Sequence, residues 1–227
     1  MEVNYIVNRI DEQSNSEKAA WLENYVKHSV KSKGVGIPQI REIVIDATKK
    51  FGINTKPIPE QIDILNNLMK QEYTEHKIAA IIYIQLFLKD YSLEIIKPIS
   101  HWFDNEYITD WNVCDWLCVR ILSPMIDSSP DLIIPELEQW NKSKNLWKAR
   151  ASLVPFAQCK NISAHWNHIN KFSQVLIKRD ERFCKTSVGW VMREYSKKDK
   201  SLVADFLVKH SKYTTKEVVS NATKYFN

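Results

Sequence analysis

The sequence has few of the residues that make sharp turns. Its 227 residues include only 4 Gly and 8 Pro. Sheet-rich and doubly wound folds need many tight turns, so this scarcity favours helices joined by short loops. The chain also lacks an apolar run approaching the roughly 18 residues of a membrane span, and residues 1–18 have no signal or transit-peptide composition. We therefore expect an all-α, cytoplasmic protein.

Paired cysteines are also missing. None of the four cysteines stands in a CxxC motif; they are Cys114, Cys118, Cys159 and Cys184. We expect reduced thiols that are buried as small hydrophobic residues. No histidine lies close to the Cys114–Cys118 pair in sequence, and a zinc site needs further ligands. We therefore predict no metal site and no cofactor.

Positive charge and aromatic rings are present in excess. The chain carries 32 Lys and Arg against 27 Asp and Glu, a net charge of +5, and contains 8 Trp and 9 Tyr. This balance alone is weak support for a nucleic-acid partner. Large aromatic side chains usually fill the core. We assign six tryptophans to the core on that basis: Trp21, Trp102, Trp116, Trp140, Trp147 and Trp166.

Helical spacing of apolar residues runs along the chain. The predicted helices cover residues 14–29, 33–51, 59–70, 74–89, 92–104, 108–124, 130–141, 145–157, 161–178, 180–197, 199–209 and 214–226. They form antiparallel pairs that recur every roughly 35–45 residues, the period of HEAT-like repeats. Stacked pairs bury one continuous core and curve into a concave surface. No Pro-, Gly- or Ser-rich linker interrupts them, so we predict a single α-solenoid domain over residues 1–227 with a concave basic groove.

Four residues in three segments carry functional chemistry: Trp111, Asp115, Arg150 and Trp190. Trp111 and Asp115 are one helical turn apart and share one helix face. A carboxylate, a guanidinium and two indole rings could together bind a cation and a phosphate backbone. Asp115 could instead be a structural salt-bridge partner of Arg150, with no catalytic role.

Further basic residues lie on the second helices of the predicted pairs. Lys148 accompanies Arg150, and Lys185 and Arg193 lie on the following second helix. If these helices line the concave surface, the groove is positive and suits DNA. The alternative is that each residue belongs to an ordinary solvated helix face.

The chain resembles the DNA alkylation repair family, the AlkD-like HEAT-repeat DNA glycosylases, over nearly its whole length. Five stretches carry the resemblance: YVKHSVKSKGVGIPQIR (25–41), EHKIAAIIYIQLF (75–87), DWNVCDWLC (110–118), NLWKARASLVP (145–155) and SVGWVMREY (187–195). Their order and spacing match the family. The GVGIPQIR and GWVMREY blocks are the most specific.

The resemblance implies an enzyme that excises positively charged N3- and N7-alkylated purines, such as 3-methyladenine and 7-methylguanine, without flipping the base. It implies that Trp111 and Trp190 contact the deoxyribose of the lesion and that Asp115 is the catalytic carboxylate. Arg150 would contact the adjacent phosphate, and Tyr25 would lie on an N-terminal helix that closes over the minor groove. The implied partner is double-stranded DNA bound by a monomer, with no obligate protein partner.

Chemistry supports these roles independently, because an alkylated purine departs as a neutral base. The protein needs mainly to stabilise positive charge on the sugar, which a carboxylate and indole faces both do. Two positions depart from the family pattern: Thr186 stands where a Lys is expected, and Asn112 where an acid often follows the Trp. Two alternatives therefore stay open, a non-catalytic protein that binds damaged or branched DNA, and a protein-interaction scaffold.

Overall fold

The described part of the protein is built of helices joined by turns and loops. The computed structural model describes residues 1–27 and 29–226, and in this part the sole β feature is an isolated bridge between Lys31 and Tyr73. The prediction of an all-α fold is therefore confirmed. No described helix is long and apolar enough to cross a membrane. His28, which falls in the predicted helix 14–29, lies outside the described residues.

The chain divides into two compact units, one ending at Leu117 and the other beginning at Cys118. The helices of the first unit are α1 (Glu2–Glu12), α2 (Ser16–Tyr25), α3 (Ile37–Phe51), α4 (Ile58–Met69), α5 (Thr74–Phe87), α6 (Ser92–Asp104) and α7 (Trp111–Leu117). The α-helices of the second unit are α8 (Ser123–Ser128), α9 (Pro130–Asn141), α10 (Leu146–Ala151), α11 (Trp166–Leu176), α12 (Arg182–Ser196), α13 (Lys200–Lys209) and α14 (Lys216–Ala222). Shorter helical turns in the second unit are Cys118–Leu122 (π) and Val154–Gln158 and Ile162–His165 (3-10).

The first unit is built around α5. This helix is buried on all sides, and α1, α3, α4 and α7 pack against it. Its sequence from Ile78 to Ile84 is continuously apolar, which is typical of a helix with no solvated face. Short connections join α4 to α5, so the two helices form one of the predicted antiparallel pairs.

The second unit is built around α12. The helices α10, α11, α13 and α14 pack against it, as does the 3-10 turn Val154–Gln158. Gly189 allows the approach of α14, because a Cβ at this position would lie 3.2 Å from the Cα of Val218. The glycine of the GWVMREY block is therefore required by helix packing, next to the predicted site residue Trp190.

Helix α1 is not among the elements that the sequence predicts. Its buried residues Ile6 and Ile10 are one turn apart, and this spacing was the available signal. The predicted helix 108–124 also differs, since it begins at Trp111 and is divided by the π turn Cys118–Leu122. Pro124 follows this turn; it has no backbone N–H, so regular α-helical bonding cannot continue through it.

The tryptophans assigned to the core divide into three groups. Trp102 and Trp140 are fully buried, as predicted. Three others are half-buried; they are Trp116, Trp147 and Trp166. For Trp21 the prediction is wrong, because 66% of this residue is exposed. The helix that carries Trp21, α2, has no buried residue, so its apolar side chains do not enter a core.

Polar contacts hold α2 in place. The carboxylate of Glu75, on α5, is 2% exposed and accepts hydrogen bonds from the hydroxyl of Ser32 (2.6 Å) and from the N–H groups of Lys33 and Gly34 (both 2.9 Å). The carbonyl of Lys33 accepts in turn from the N–H of Asn15, the N-cap of α2, at 2.8 Å. We call residues 32–34 with Glu75 the latch. It connects the start of α2 to the centre of the first unit.

We expect Glu75→Ala to lower the free energy of unfolding by about 2–4 kcal/mol, because the Ser32 hydroxyl and the Lys33 N–H lose their acceptor and the Gly34 N–H keeps just the Ser32 hydroxyl, at 3.0 Å. Urea denaturation would measure the loss, and amide exchange would show faster exchange at Lys33 and Gly34. The control is Glu72→Ala: Glu72 pairs with Lys31 on the surface, and such pairs contribute about 1 kcal/mol or less. Equal losses in the two variants would contradict the role of the latch.

Candidate functional site

Helix α7 presents two predicted site residues on one face. The side chains of Val113, Cys114 and Leu117 are buried in the interior of the first unit, where α7 packs on α5. Trp111 and Asp115 are one turn apart on the other side and are half-buried. The apolar spacing of the helix therefore brings the indole and the carboxylate together at the surface.

Two contacts fix the start of α7. The side chain of Asp110 caps the helix, accepting a hydrogen bond from the N–H of Val113 at 3.0 Å. The ammonium of Lys77, on α5, donates to the carbonyl of Tyr107 in the preceding loop. Burial raises the pKa of Asp110, and the nearby Asp115 carboxylate raises it further. These contacts determine the position of Trp111, the first residue of the helix.

Three aromatic rings meet beside this helix. Tyr25, the last residue of α2, contacts Trp111 edge-to-face with the ring centroids 5.5 Å apart. Trp21 stacks on Tyr25 with the centroids at 5.4 Å and the planes 4° apart. We call Trp21, Tyr25 and Trp111 the aromatic ladder. Trp21 is a member that the sequence prediction missed, although its spacing from Tyr25, one helical turn, was a visible signal.

In the second unit, Arg150 is held against α12. Its side chain is buried, the residue being 5% exposed, and one guanidinium nitrogen donates to the carbonyl of Phe183 at 2.7 Å and to the hydroxyl of Thr186 at 3.3 Å. Thr186 thus has a structural role at the position where the sequence departs from the family pattern. A lysine there would place a second cation beside the guanidinium.

Trp190 is one turn after Thr186 on α12, so it shares the helix face that contacts Arg150. The ring is half-buried, and its Nε1 is buried with no hydrogen-bond partner among the described residues. A buried N–H without an acceptor costs about 1–3 kcal/mol.

The remaining predicted DNA-binding residues are engaged within the second unit. Lys148 is buried, and its ammonium lies 5.9 Å from the centroid of the Trp140 ring. Lys185 donates to the carbonyl of Tyr213 at 2.8 Å. Arg193 pairs with Glu194 at 2.8 Å and donates to Asn221 at 3.1 Å. Each therefore has a structural contact, and its contact with DNA stays a prediction.

The structure thus groups the predicted residues in two sets. In the first unit Tyr25 contacts Trp111, and Asp115 is one helical turn from Trp111. Arg150 and Trp190 are brought to one face of α12 in the second. The four cysteines are buried, and none of them forms a disulfide bond. Within the described residues, no three His, Cys, Asp or Glu side chains are grouped as metal ligands.

The Asp110 cap gives a pH-dependent prediction. Asp110→Asn keeps a capping side chain and removes the buried charge, whereas Asp110→Ala removes the cap and should cost about 1 kcal/mol of stability. Because the pKa of Asp110 is raised in the folded state, its ionised form is disfavoured there at neutral pH. Asp110→Asn should therefore be at least as stable as wild type near neutrality. As the pH falls through the raised pKa towards 3.8, Asp110 becomes protonated and the free-energy cost of its buried charge disappears. The stability advantage of Asp110→Asn over wild type should then be lost.

Urea unfolding of wild type and both variants, at neutral pH and again at acidic pH, would measure these differences. The prediction would be contradicted if Asp110→Asn lost as much stability as Asp110→Ala at neutral pH.

Comparison with known proteins identifies the family. The sequence profile of a family described as DNA alkylation repair enzyme matches residues 6–226. No curated protein matches the chain in sequence. A solved structure from Enterococcus faecalis, described as a predicted DNA alkylation repair enzyme, has a TM-score of 0.79 at 18% identity over 94% of this chain and 96% of that one.

The crystal structure of AlkD2 from Streptococcus mutans has a TM-score of 0.60 at 18% identity, over 92% of this chain and 98% of that one. At such identities these two likenesses show a shared fold. The family match extends over nearly the whole sequence. The chain therefore belongs to the DNA alkylation repair enzyme family.

Proposed function

We propose that the protein is a monofunctional DNA glycosylase that excises N3- and N7-alkylated purines, such as 3-methyladenine and 7-methylguanine. The observation that carries the proposal is the surface of α7, where the Asp115 carboxylate lies one turn from Trp111 and Trp111 is bordered by Tyr25. This places a negative charge and an indole side by side at a solvent-accessible position. Both stabilise a cationic sugar.

The reaction is hydrolysis of the N-glycosidic bond. The bond between C1′ and the purine nitrogen breaks with both electrons going to the base, so the cationic lesion leaves as a neutral purine. Asp115 stabilises the oxocarbenium character that develops on the deoxyribose, and Trp111 adds cation-π attraction. Water adds to C1′ and loses a proton to Asp115 or to solvent, which leaves an abasic site.

The second unit supplies the contacts with the DNA backbone. Arg150 is oriented by Phe183 and Thr186 and binds the phosphate beside the lesion, which fixes the register of the duplex. Trp190 provides the second indole, and the accessible part of its half-buried ring packs on the deoxyribose. We propose Lys148, Lys185 and Arg193 as further backbone contacts.

The substrate is double-stranded DNA, and the damaged base remains in the helix during excision. Asp115 is half-buried and accessible from the surface, so it can approach the sugar of a stacked nucleotide without a deep base pocket. We propose that the protein acts as a monomer, needs neither a cofactor nor a protein partner, and works in the cytoplasm on nucleoid DNA.

The central test is base release from methylated duplex DNA. We expect wild-type protein to release 3-methyladenine and 7-methylguanine, and Asp115→Asn to reduce the single-turnover rate by about 100-fold, as expected when a group that stabilises transition-state charge is lost. Trp111→Ala should cost less, about 2- to 30-fold, because one cation-π contact contributes roughly 0.5–2 kcal/mol. Release would be measured by chromatography of the free bases.

The matched control is Asp63→Asn, which removes a carboxylate from the exposed surface of α4. It should excise at the wild-type rate. A reaction without enzyme corrects for spontaneous depurination. Full activity of Asp115→Asn would exclude the proposed mechanism, whether or not Asp115 also has a structural role.

A non-catalytic protein that binds damaged or branched DNA is the second candidate. The observation in its favour is Thr186, which replaces the expected cation and binds Arg150. This function predicts binding that weakens steeply with salt and no release of any alkylated base. Fluorescence anisotropy at several salt concentrations, combined with the release assay, separates the two candidates: detectable excision by wild type excludes this one.

A further inference from the structure

Helix α2 is unlike the other long helices because none of its residues is buried. Its position depends on its ends. At the start, Asn15 caps the helix and binds Lys33, and near the end the Glu23 carboxylate accepts a hydrogen bond from the N–H of Ser32 at 2.9 Å. Both contacts are made to residues of the latch. The outer face of α2 is therefore held in a defined place without taking part in core packing.

Trp21 is the most prominent side chain on that outer face. It is 66% exposed although it is flat against Tyr25, which is itself 59% exposed. An indole in this position adds little to folding, and tryptophan is usually much more buried. Its only ring partner among the described residues is Tyr25. The aromatic ladder thus begins at Trp111 and ends in an indole that is largely open to solvent.

Two exposed lysines lie near Trp21, together with the exposed Glu17, which is one turn before it. Lys18 is three residues before Trp21 on the same helix face, and Lys27 follows the end of α2. Both residues are exposed, and neither takes part in an ion pair within residues 1–27 and 29–226. An exposed aromatic ring flanked by available cations is the usual composition of a nucleic-acid contact surface.

We propose that Trp21 is a further DNA contact, whose open indole packs on the deoxyribose of a nucleotide flanking the lesion. This rests on the proposed function, in which Trp111 contacts the sugar of the lesion itself. Successive rings of the aromatic ladder are 5.5 Å and 5.4 Å apart. Successive nucleotides of one strand are about 3.4 Å apart along the helix axis, so a ladder that follows the strand is long enough for Trp21 to meet a nucleotide next to the lesion.

The chemistry of this contact defines its effect. The C–H groups of a deoxyribose ring are apolar and are the same for every base, so the contact reads neither the sequence nor the lesion. It should strengthen binding to undamaged and alkylated duplexes equally. It also displaces no counterions, so it should leave the salt dependence of binding unchanged, unlike a lysine–phosphate contact.

The experiment measures the affinity of the full-length protein for undamaged and 7-methylguanine-containing duplexes by anisotropy. Trp21→Ala should raise Kd about tenfold on both, and Trp21→Phe by less, because a smaller ring retains part of the contact. Excision at low enzyme concentration should fall by the same factor and recover as enzyme is added. The matched control is Leu93→Ala, which removes an apolar side chain that is 64% exposed on α6 and should leave Kd unchanged.

Salt titration and a double variant separate a direct contact from other roles. The slope of log Kd against log salt should be unchanged in Trp21→Ala and reduced by about one in Lys18→Ala. If Trp21 contacts DNA directly, Trp21→Ala should still weaken binding when Tyr25 is already alanine. Loss of the effect in that background would overturn the proposal and leave Trp21 as a support for Tyr25.

Two further outcomes bear on the proposals separately. If Trp21→Ala binds both duplexes as tightly as wild type while Arg150→Ala binds weakly, the Trp21 contact is excluded and the proposed function stands. If wild type binds DNA but excises nothing, the glycosylase proposal fails, and a tenfold change of Kd in Trp21→Ala still supports the contact. Circular dichroism of each variant confirms that the helices are retained.

Discussion

The buried Glu75 carboxylate accepts the hydrogen bonds that hold residues 32–34, and through them α2, beside the candidate site of the first unit. No residue of helix α2 is fully buried, so hydrophobic packing contributes little to its position. The latch positions it instead, joining α2 to the most buried helix of the unit through Ser32, Lys33 and Gly34. Gly34 has φ +72°, and a Cβ there would lie 2.2 Å from the carbonyl of Asn15. The GVGIPQIR block therefore begins with a glycine that this close approach requires.

The short helix α7 contributes one side to core packing and the other side to the candidate site. One side of its seven residues is used for burial, and the other side carries Trp111 and Asp115 at the surface. The helix is too short to be stable by itself, so the Asp110 cap and the contact between Lys77 and Tyr107 are needed to define its start. Asp115, the carboxylate proposed to act on the sugar, is therefore positioned through Asp110 and Lys77, which have no proposed contact with the substrate.

In the second unit, burial and hydrogen bonds to protein acceptors orient the guanidinium of Arg150. Arg150 is nearly fully buried, and the carbonyl of Phe183 and the hydroxyl of Thr186 direct its guanidinium. A buried guanidinium retains a fixed geometry, which favours paired hydrogen bonds to a phosphate. The substitution of the family's expected lysine by Thr186 is consistent with this arrangement. Trp190 lies on the same face of α12, and the neighbouring Gly189 allows the close approach of α14.

The sequence by itself determined the helical class, most helix positions, and the shared helix face of Trp111 and Asp115, because these depend on local apolar periodicity. It predicted the wrong environment for Trp21, since its spacing is the same on a packed helix and on one held by polar contacts. Its periodicity in residues 108–124 did not reveal the π turn before Pro124. Tertiary structure alone decided that Glu75 anchors α2 and that Tyr25 meets Trp111, because both contacts join residues far apart in the chain.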